Sequence, residues 1–211
     1  MGCFAAVNAL KLARHIVRSE PDARVLVVNI ELSTLHLQEE WELETMLMFL
    51  LFADGCTACL VSANAEGLEI DDFRAGVIPR SESLITWHIG DSGFRMRLSG
   101  QVPGRIRRWL GEHGRGMLGL SEPQAVALWA VHAGGRSVLD AVQQGLGLPP
   151  EALRFSRDVL RDVGNVSSAT LVFVLDRIMR AREISREGVA MAFGPGLSVE
   201  TFRFRRVGGR A

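Results

Sequence analysis

The feature that most constrains the fold is the alternation of helix-like and strand-like segments along a chain of 211 residues. Apolar residues recur at three- and four-residue steps through residues 2–17, which predicts a helix with one apolar face. Residues 24–31 are rich in Val and Ile. They predict a strand buried on both faces, as in a parallel or mixed central sheet. Elements that alternate in this way predict an α/β protein with helices layered on sheets.

The rest of the chain continues this alternation. Further helices are predicted over residues 38–53, 102–112, 136–146, 150–162 and 167–183. Further strands are predicted over residues 56–63, 68–79, 84–99, 125–131, 188–193 and 198–207. The last strand alternates phenylalanines with arginines, which predicts an edge strand with a solvated basic face. The polar, turn-forming residues 64–67 predict a boundary between two halves, 1–66 and 67–211.

Composition narrows the classes of function. Lys plus Arg and Asp plus Glu number 24 each, so the net charge is zero and a nucleic-acid surface or polybasic membrane contact is not expected. The longest apolar run, residues 46–53, is too short to span a bilayer. Lys11 and Arg14 interrupt the apolar start, so no signal peptide is predicted. Three cysteines without a disulfide pattern fit a reducing cytosol, and we expect a cytoplasmic protein.

The cysteines differ in what their surroundings predict. Cys56 and Cys59 lie three residues apart in a predicted strand, so their thiols point to opposite faces. No second pair completes a zinc site, and no metal or redox role is predicted. Cys3 lies at the start of the first helix, where free backbone N–H groups and the helix dipole stabilise a thiolate. This placement predicts a lowered pKa and a nucleophilic thiol. The alternative is a cysteine that acts as a small core residue.

Three functional side chains, Cys3, His132 and Asn165, lie at strand ends or helix starts and are flanked by glycine or small residues. Together they make a mechanism, because a thiolate can take an acyl group from a thioester. A nearby imidazole can pair with that thiolate, and imidazole and amide groups can together stabilise an oxyanion or enolate. Each residue also has a structural interpretation: His132 as a hydrogen-bonded histidine at a strand end, and Asn165 as a helix N-cap.

Five motifs occur in an order that identifies a family. They are Gly2-Cys3-Phe4-Ala5, Leu51-Phe52-Ala53-Asp54-Gly55, Trp129-Ala130-Val131-His132-Ala133-Gly134-Gly135, Gly164-Asn165-Val166-Ser167-Ser168-Ala169 and Phe193-Gly194-Pro195-Gly196-Leu197. Together they resemble the type III polyketide synthases, the chalcone/stilbene synthase-like family of the thiolase fold. The resemblance runs from residue 2 to the C-terminus. It implies a layered αβαβα fold, of which this chain holds the end of the first half and the complete second half.

The resemblance also implies an acyltransferase with Cys3, His132 and Asn165 as its catalytic triad. Cys3 would carry the starter and the growing polyketide as a thioester. His132 and Asn165 would polarise the malonyl thioester and stabilise the enolate formed on loss of CO₂. Coenzyme A thioesters would be the substrates, with no bound cofactor or metal, and the full-length form would be a homodimer.

Several pocket residues follow from the same resemblance. Phe52 matches a gatekeeper phenylalanine, and Met96 occupies the position of a second gatekeeper. Because Met is flexible and fills irregular apolar space, the pocket is expected to suit a fatty or otherwise non-aromatic starter. The residues expected to line or shape the cyclisation pocket are Ser33, Leu35, His36, Ser167, Gly194, Pro195 and Gly196. Those expected near coenzyme A are Gly134, Gly135 and Ser137.

The chain departs from the family pattern in three places. Ala133 stands where the family usually has Pro, and Ala192 where the loop usually begins with Gly. In the family a half-domain of roughly 150 residues precedes the nucleophile, so the resemblance implies an N-terminally truncated chain. Residues 24–31 would then expose a long apolar edge. We therefore expect the 211-residue chain alone to be poorly soluble or inactive.

Two other functions stay open. A ketoacyl-ACP synthase uses the same three residue types, although such enzymes favour Gln-Ala-Asn after the histidine, where this chain has Ala133-Gly134-Gly135. The Gly-Pro-Gly loop also favours the polyketide synthase. The third possibility is a non-catalytic remnant, or a subunit that pairs with a complete synthase. Alkylation separates these classes, since an active site predicts that Cys3 reacts faster than Cys56 and Cys59.

Overall fold

The computed structural model describes residues 2–39, 43–91, 93–181 and 187–208. Within them the helices are α1 (Ala5–Ser19), α2 (Leu43–Leu51), α3 (Val102–Leu118), α4 (Arg136–Leu146), α5 (Arg154–Asp162) and α6 (Ala169–Arg180). The strands are β1 (Val25–Glu31), β2 (Gly55–Val61), β3 (Gly67–Val77), β4 (Ile85–Gly90), β5 (Gly93–Leu98), β6 (Leu128–Val131), β7 (Glu187–Gly194) and β8 (Ser198–Val207). None of the described helices is long and apolar enough to cross a membrane.

A four-stranded mixed sheet with the order β3-β8-β7-β6 forms the centre of the fold. Strand β6 runs parallel to β7, and the other two pairs are antiparallel. Successive side chains of a strand point to opposite faces, and here both faces are buried. Trp129 and Val131 of β6 pack into one core cluster, whereas Leu128 and Ala130 pack into the other.

Helices cover both faces of this sheet. On one face, α3 and α4 pack against each other and bury Ile106, Leu110 and Leu139 with the tryptophan of β6. On the other face, α1 and α6 bury Leu10 and Ile178 with residues of β7 and β8. The predicted arrangement of helices layered on a sheet is confirmed.

The first helix has the predicted apolar face. Val7, Leu10, Ala13 and Val17 are buried, because three- and four-residue steps place them on the side that faces the sheet. The helix begins two residues later than the nucleophile candidate, however. Gly2–Phe4 form a 3₁₀ turn, and the α-helix starts at Ala5. Cys3 therefore precedes the first α-helical turn.

Strand β1 is not buried on both faces, and this prediction is wrong. It pairs in antiparallel register with β2, and α1 and α6 cover one face of this pair. On the opposite face Leu26, Val28 and Ile30 are 63, 47 and 63% exposed. The burial of a strand depends on the elements packed against it, which its own sequence does not specify. Residues 24–31 were expected to expose an apolar edge, whereas the apolar surface that they expose is the face opposite α1 and α6.

Strand β8 lies between β3 and β7, so the prediction of an edge strand is wrong. Phe202 and Phe204 are buried on one face, as the alternation indicates. Arg205 on the other face is exposed and binds Glu69 across the β3–β8 pair at 2.6 Å. The basic residues are thus solvated as predicted, but ion pairs between neighbouring strands allow them to occupy an interior position of the sheet.

Several predicted boundaries also differ. Helix α2 covers only part of residues 38–53, of which 40–42 lie outside the described residues. Helix α3 continues past residue 112 to Leu118, where Gly119 adopts φ +60 and ends it. Residues 84–99 form a hairpin of β4 and β5 rather than one strand. This hairpin packs against α2 and the 3₁₀ helix Ser33–His36, which places it over the site described next. The division at residues 66–67 stays a prediction.

Candidate active site

Cys3 lies between two glycine-containing loops of the second half of the chain. Its Sγ is 3.6 Å from the hydroxyl oxygen of Ser167. The preceding Gly2 has φ +70, and a Cβ atom there would be 3.0 Å from Cδ of Pro195. Only glycine suits this position, since another residue would combine a strained backbone with a close contact. The approach of Gly2 to Pro195 thus sets the place of Cys3.

Asn165 links Ser167, which touches Cys3, to the loop that contains Gly134. Gly164 before it has φ +85, and the Asn165 backbone pairs with residues 51–53, its C=O accepting from the Ala53 N–H at 2.9 Å. The side chain is 98% buried. Its Oδ1 accepts from the Ser167 N–H at 3.0 Å, and its Nδ2 donates to the Gly134 carbonyl oxygen at 3.2 Å. One Nδ2 hydrogen remains for another acceptor.

His132 follows the last residue of β6 and is 3% exposed. Its backbone N–H donates to the Met191 carbonyl at 2.8 Å, which extends the β6–β7 pairing. A Cβ atom on Gly134 would be 3.3 Å from the His132 Nε2, so that glycine leaves room beside the ring. Within the part of the chain that the structure describes, Nδ1 has no hydrogen-bond partner. This argues against a purely structural, hydrogen-bonded histidine.

These contacts bring the three predicted residues together. Ser167 touches Cys3 and bonds to Asn165, Asn165 bonds to Gly134, and Gly134 lies against His132. Cys3 and Ser167 are 164 residues apart in sequence, and Gly134 and Asn165 are 31 residues apart.

The predicted low pKa of Cys3 is wrong. Burial raises the pKa of the Cys3 thiol to about 11, the hydrogen bond with Ser167 lowers it in part, and the Glu31 carboxylate raises it further. The dipole argument failed because the α-helix starts after Cys3 and desolvation is the larger effect. Burial also lowers the pKa of His132 to about 4. Cys3 is only half-buried, and both shifts favour the neutral forms of the thiol and the imidazole.

A cavity of about 810 Å³ opens beside this group. Gly2, Ala5 and Ser167 line it next to Cys3, whereas Cys3, His132 and Asn165 are not among its lining residues. Predicted pocket residues that do line it are Phe52, Met96, Ser33 and His36. Leu35 does not, and it is 75% exposed, so this prediction is wrong. In a 3₁₀ helix, residues three apart share a side, which places Ser33 with His36 and turns Leu35 away.

Comparison with known proteins identifies the family. Residues 70–208 match the family described as "Chalcone and stilbene synthases, C-terminal domain". The chain belongs to the chalcone and stilbene synthase family. Residues 1–77 match the family described as "3-Oxoacyl-[acyl-carrier-protein (ACP)] synthase III". The resemblance predicted from the five motifs is confirmed.

Relatives and solved structures agree with this family. The chain is 35% identical to bisdemethoxycurcumin synthase from Oryza sativa subsp. japonica, over 94% of this chain and 54% of that protein. It is 30% identical to PKS-I from the brown alga Ectocarpus siliculosus, with a TM-score of 0.89 over 98% of this chain and 59% of that one. It is 27% identical to 1,3,6,8-tetrahydroxynaphthalene synthase from Streptomyces coelicolor A3(2), a bacterial type III polyketide synthase. There the TM-score is 0.91, over 99% of this chain and 62% of that one.

The α/β, thiolase-like fold expected of the family is thereby confirmed. The chain spans 54% of the length of the curated relative and about three fifths of the two solved chains.

Two residues that line the cavity, Glu31 and Trp87, were not predicted from the sequence. Glu31 ends β1, lines the cavity and accepts the Ser168 N–H at 3.1 Å, near the start of α6. A polar residue at the end of a predicted strand could have indicated Glu31 as a site residue. Trp87 lines the cavity from β4 and meets His36 edge-on, with ring centroids 6.1 Å apart. No local pattern indicates Trp87, because it reaches the cavity only through the folding of the β4–β5 hairpin.

The remaining predicted site residues lie around this centre. The Gly194, Pro195 and Gly196 loop does not line the cavity but holds Gly2. Gly135 is buried against Leu51, and Ser137 is exposed in the first turn of α4. A role of Gly134, Gly135 and Ser137 near coenzyme A stays a prediction. Among the described residues no cluster of His, Cys, Asp or Glu could hold a metal ion.

Proposed function

We propose that this chain carries the condensing centre of a type III polyketide synthase, an acyltransferase that joins an acyl-CoA starter to units from malonyl-CoA. The observation that supports this most is the contact path from Cys3 through Ser167, Asn165 and Gly134 to His132, beside a large cavity. A nucleophile, a base and an amide donor at one place are the groups that this chemistry needs.

The first step loads the starter on Cys3. The neutral imidazole of His132 takes the thiol proton as Sγ attacks the thioester carbonyl carbon of the acyl-CoA. The carbonyl carbon then breaks its bond to the sulfur of coenzyme A, which leaves and takes up a proton. Cys3 is left as an acyl thioester. A base with a pKa near 4 accepts this proton only as the attack proceeds, since the resting ion pair is unfavourable.

The second step extends the chain. Malonyl-CoA loses CO₂, and the electron pair of the broken bond becomes the enolate of acetyl-CoA. The enolate oxygen accepts hydrogen bonds from the His132 ring N–H and from the Nδ2 hydrogen of Asn165 that does not bind Gly134. The enolate carbon attacks the thioester on Cys3, and the thiolate leaves, ready for the next transfer.

The cavity supports an extended, largely apolar intermediate. At about 810 Å³ it lies within the range of about 300–1,000 Å³ usual for small-molecule sites. Phe52 and Met96 line it, and the flexible methionine favours a fatty or otherwise non-aromatic starter. Cyclisation in this space would yield a pyrone, resorcinol or chalcone-like product. We further propose a homodimer and a cytoplasmic location, the latter from cysteines that are all free among the described residues.

The test uses a panel of acyl-CoA starters and radiolabelled malonyl-CoA. It is applied to this chain and to the same chain extended at its N-terminus by the first half of a relative. From the extended chain we expect intact-mass evidence of an acyl group on Cys3 and labelled polyketide product, both lost in Cys3→Ala and retained in Cys56→Ala. Cys56 is exposed and provides the matched control. Acylation that persists in Cys3→Ala, or no labelled product from either protein, would refute the proposal.

A second candidate is a ketoacyl-ACP synthase, which the match of residues 1–77 to 3-oxoacyl-ACP synthase III favours. The same nucleophile would then condense an acyl group with malonyl-ACP and release a single ketoacyl product. Supplying malonyl-CoA and malonyl-ACP in parallel separates the two. Use of malonyl-ACP alone, with one extension per turnover, would assign the second function.

A further inference from the structure

Ser81 is a buried hydroxyl outside the catalytic group. It lies in the connection from β3 to β4, directly after Arg80, which has the left-handed φ of +55. The Ser81 side chain is completely buried, and it does not line the cavity. A buried hydroxyl at a backbone position of this kind needs hydrogen-bond partners.

Those partners belong to a distant turn. The Ser81 hydroxyl donates to the Ile78 carbonyl at 2.5 Å, with the Gly196 carbonyl oxygen 3.1 Å from Oγ as an alternative acceptor, and Oγ accepts the Leu197 N–H at 2.8 Å. The Ile78 N–H donates to the Leu197 carbonyl at 3.0 Å beside it. One serine thus ties the connection after β3 to the turn Pro195–Leu197, more than 110 residues away.

The other side of this turn touches the segment that carries the nucleophile. A Cβ atom on Gly2 would be 3.0 Å from Cδ and 3.4 Å from Cγ of Pro195. A displacement of the turn must therefore release Gly2 and the adjacent Cys3. In Gly196, φ is +121, a backbone conformation that glycine adopts more readily than other residues.

We propose that Ser81 is a positioning residue for the nucleophile, fixing the Pro195–Leu197 turn that in turn holds Gly2 and Cys3. The inference rests on the proposed function only because it takes Cys3 as the nucleophile. The contacts of Ser81 and Pro195 do not depend on that function.

The test measures alkylation of Cys3 by iodoacetamide in the whole chain, with the exposed Cys56 as internal reference. Ser81→Ala removes the hydroxyl. Pro195→Ala keeps the Ser81 bonds but removes the ring atoms against Gly2. Leu110→Val, in the contact between α3 and α4, controls for a general loss of stability. The pH profile of each rate is recorded as well.

We expect Ser81→Ala and Pro195→Ala to raise the Cys3-to-Cys56 rate ratio by about tenfold at pH 8, the effect of one unit of pKa. Water that reaches a loosened Cys3 would relieve the burial that holds its pKa near 11. Leu110→Val should leave the ratio unchanged. If Ser81→Ala does not fold, Ser81→Gly replaces it, because Pro195→Ala keeps the Ser81 bonds and tests only the contact with Gly2. A folded Ser81 variant whose ratio matches that of Leu110→Val overturns the proposal. Alkylation needs no substrate, so a failure of both the chain and its extended form to make polyketide would refute the proposed function and leave this test intact.

Discussion

Asn165→Ala is the substitution whose effect on stability can be worked out most directly from the structure. The side chain is 98% buried and holds the Ser167 N–H at 3.0 Å and the Gly134 carbonyl at 3.2 Å. Alanine leaves both backbone groups without their partner. An unsatisfied buried donor or acceptor costs about 1–3 kcal/mol. Both groups are only partly buried, so we expect a combined loss of about 2–4 kcal/mol in the free energy of unfolding.

The assay is urea unfolding followed by circular dichroism, with Asn64→Ala as the matched control. Asn64 is exposed, and its replacement should change the free energy of unfolding by less than about 0.5 kcal/mol. The alkylation rate of Cys3 should also change in Asn165→Ala, because Ser167 loses the bond that fixes its backbone next to the sulfur. A free energy of unfolding within about 0.5 kcal/mol of the unsubstituted chain would refute the reasoning that Asn165 organises the site.

Three further outcomes are expected. Glu31→Gln should move the pH midpoint of Cys3 alkylation downward, because it removes a negative charge that opposes the thiolate; an unmoved midpoint would contradict this. The pKa of His132 is near 4 in the folded chain and about 6.5 in the unfolded chain. Between these values only the unfolded chain binds the proton, so the free energy of unfolding should fall by about 3 kcal/mol as the pH is lowered from 6.5 to 4. His132→Gln should remove this fall in unfolding curves recorded against pH, and an unaltered slope would show that the imidazole is not kept neutral. Gly188→Ala should cost about 1–3 kcal/mol in urea unfolding, since its Cβ would overlap the Phe204 ring. Phe204→Leu in the same chain should recover part of that loss, and a Gly188→Ala chain of unchanged stability would count against the close packing of these strands.

Local patterns predicted most of the elements of this fold but not how they are placed. The buried face of α1 follows from the periodicity of its own sequence, and the existence of strands β1 and β8 follows from the residues of each strand alone. The order β3-β8-β7-β6 is a property of four segments together, and this explains why β8 was predicted at an edge. For the same reason the exposed face of β1 could not be predicted from residues 24–31.

The site shows the same division between local and non-local information. Cys3, His132 and Asn165 were predicted from their places at strand ends or helix starts beside glycine or small residues, which a single segment of sequence shows. Glu31 and Trp87 were missed, since each reaches the cavity only when separate elements pack together. The pKa of Cys3 was predicted with the wrong sign for a related reason. A rule based on the nearest helix end does not include the desolvation caused by distant loops.

Burial is the common cause of both displaced pKa values in the site, and this makes a joint prediction. Desolvation disfavours the charged form of each group, so it raises the pKa of Cys3 to about 11 and lowers that of His132 to about 4. Admitting water, as we expect in Pro195→Ala, should therefore move the two in opposite directions, each toward its ordinary value. The Cys3 midpoint can be followed by alkylation and the His132 midpoint by the NMR shift of its ring protons. If the His132 midpoint stays near 4 while that of Cys3 falls, the two groups do not share one desolvated environment, and the neutral resting pair would need a different cause.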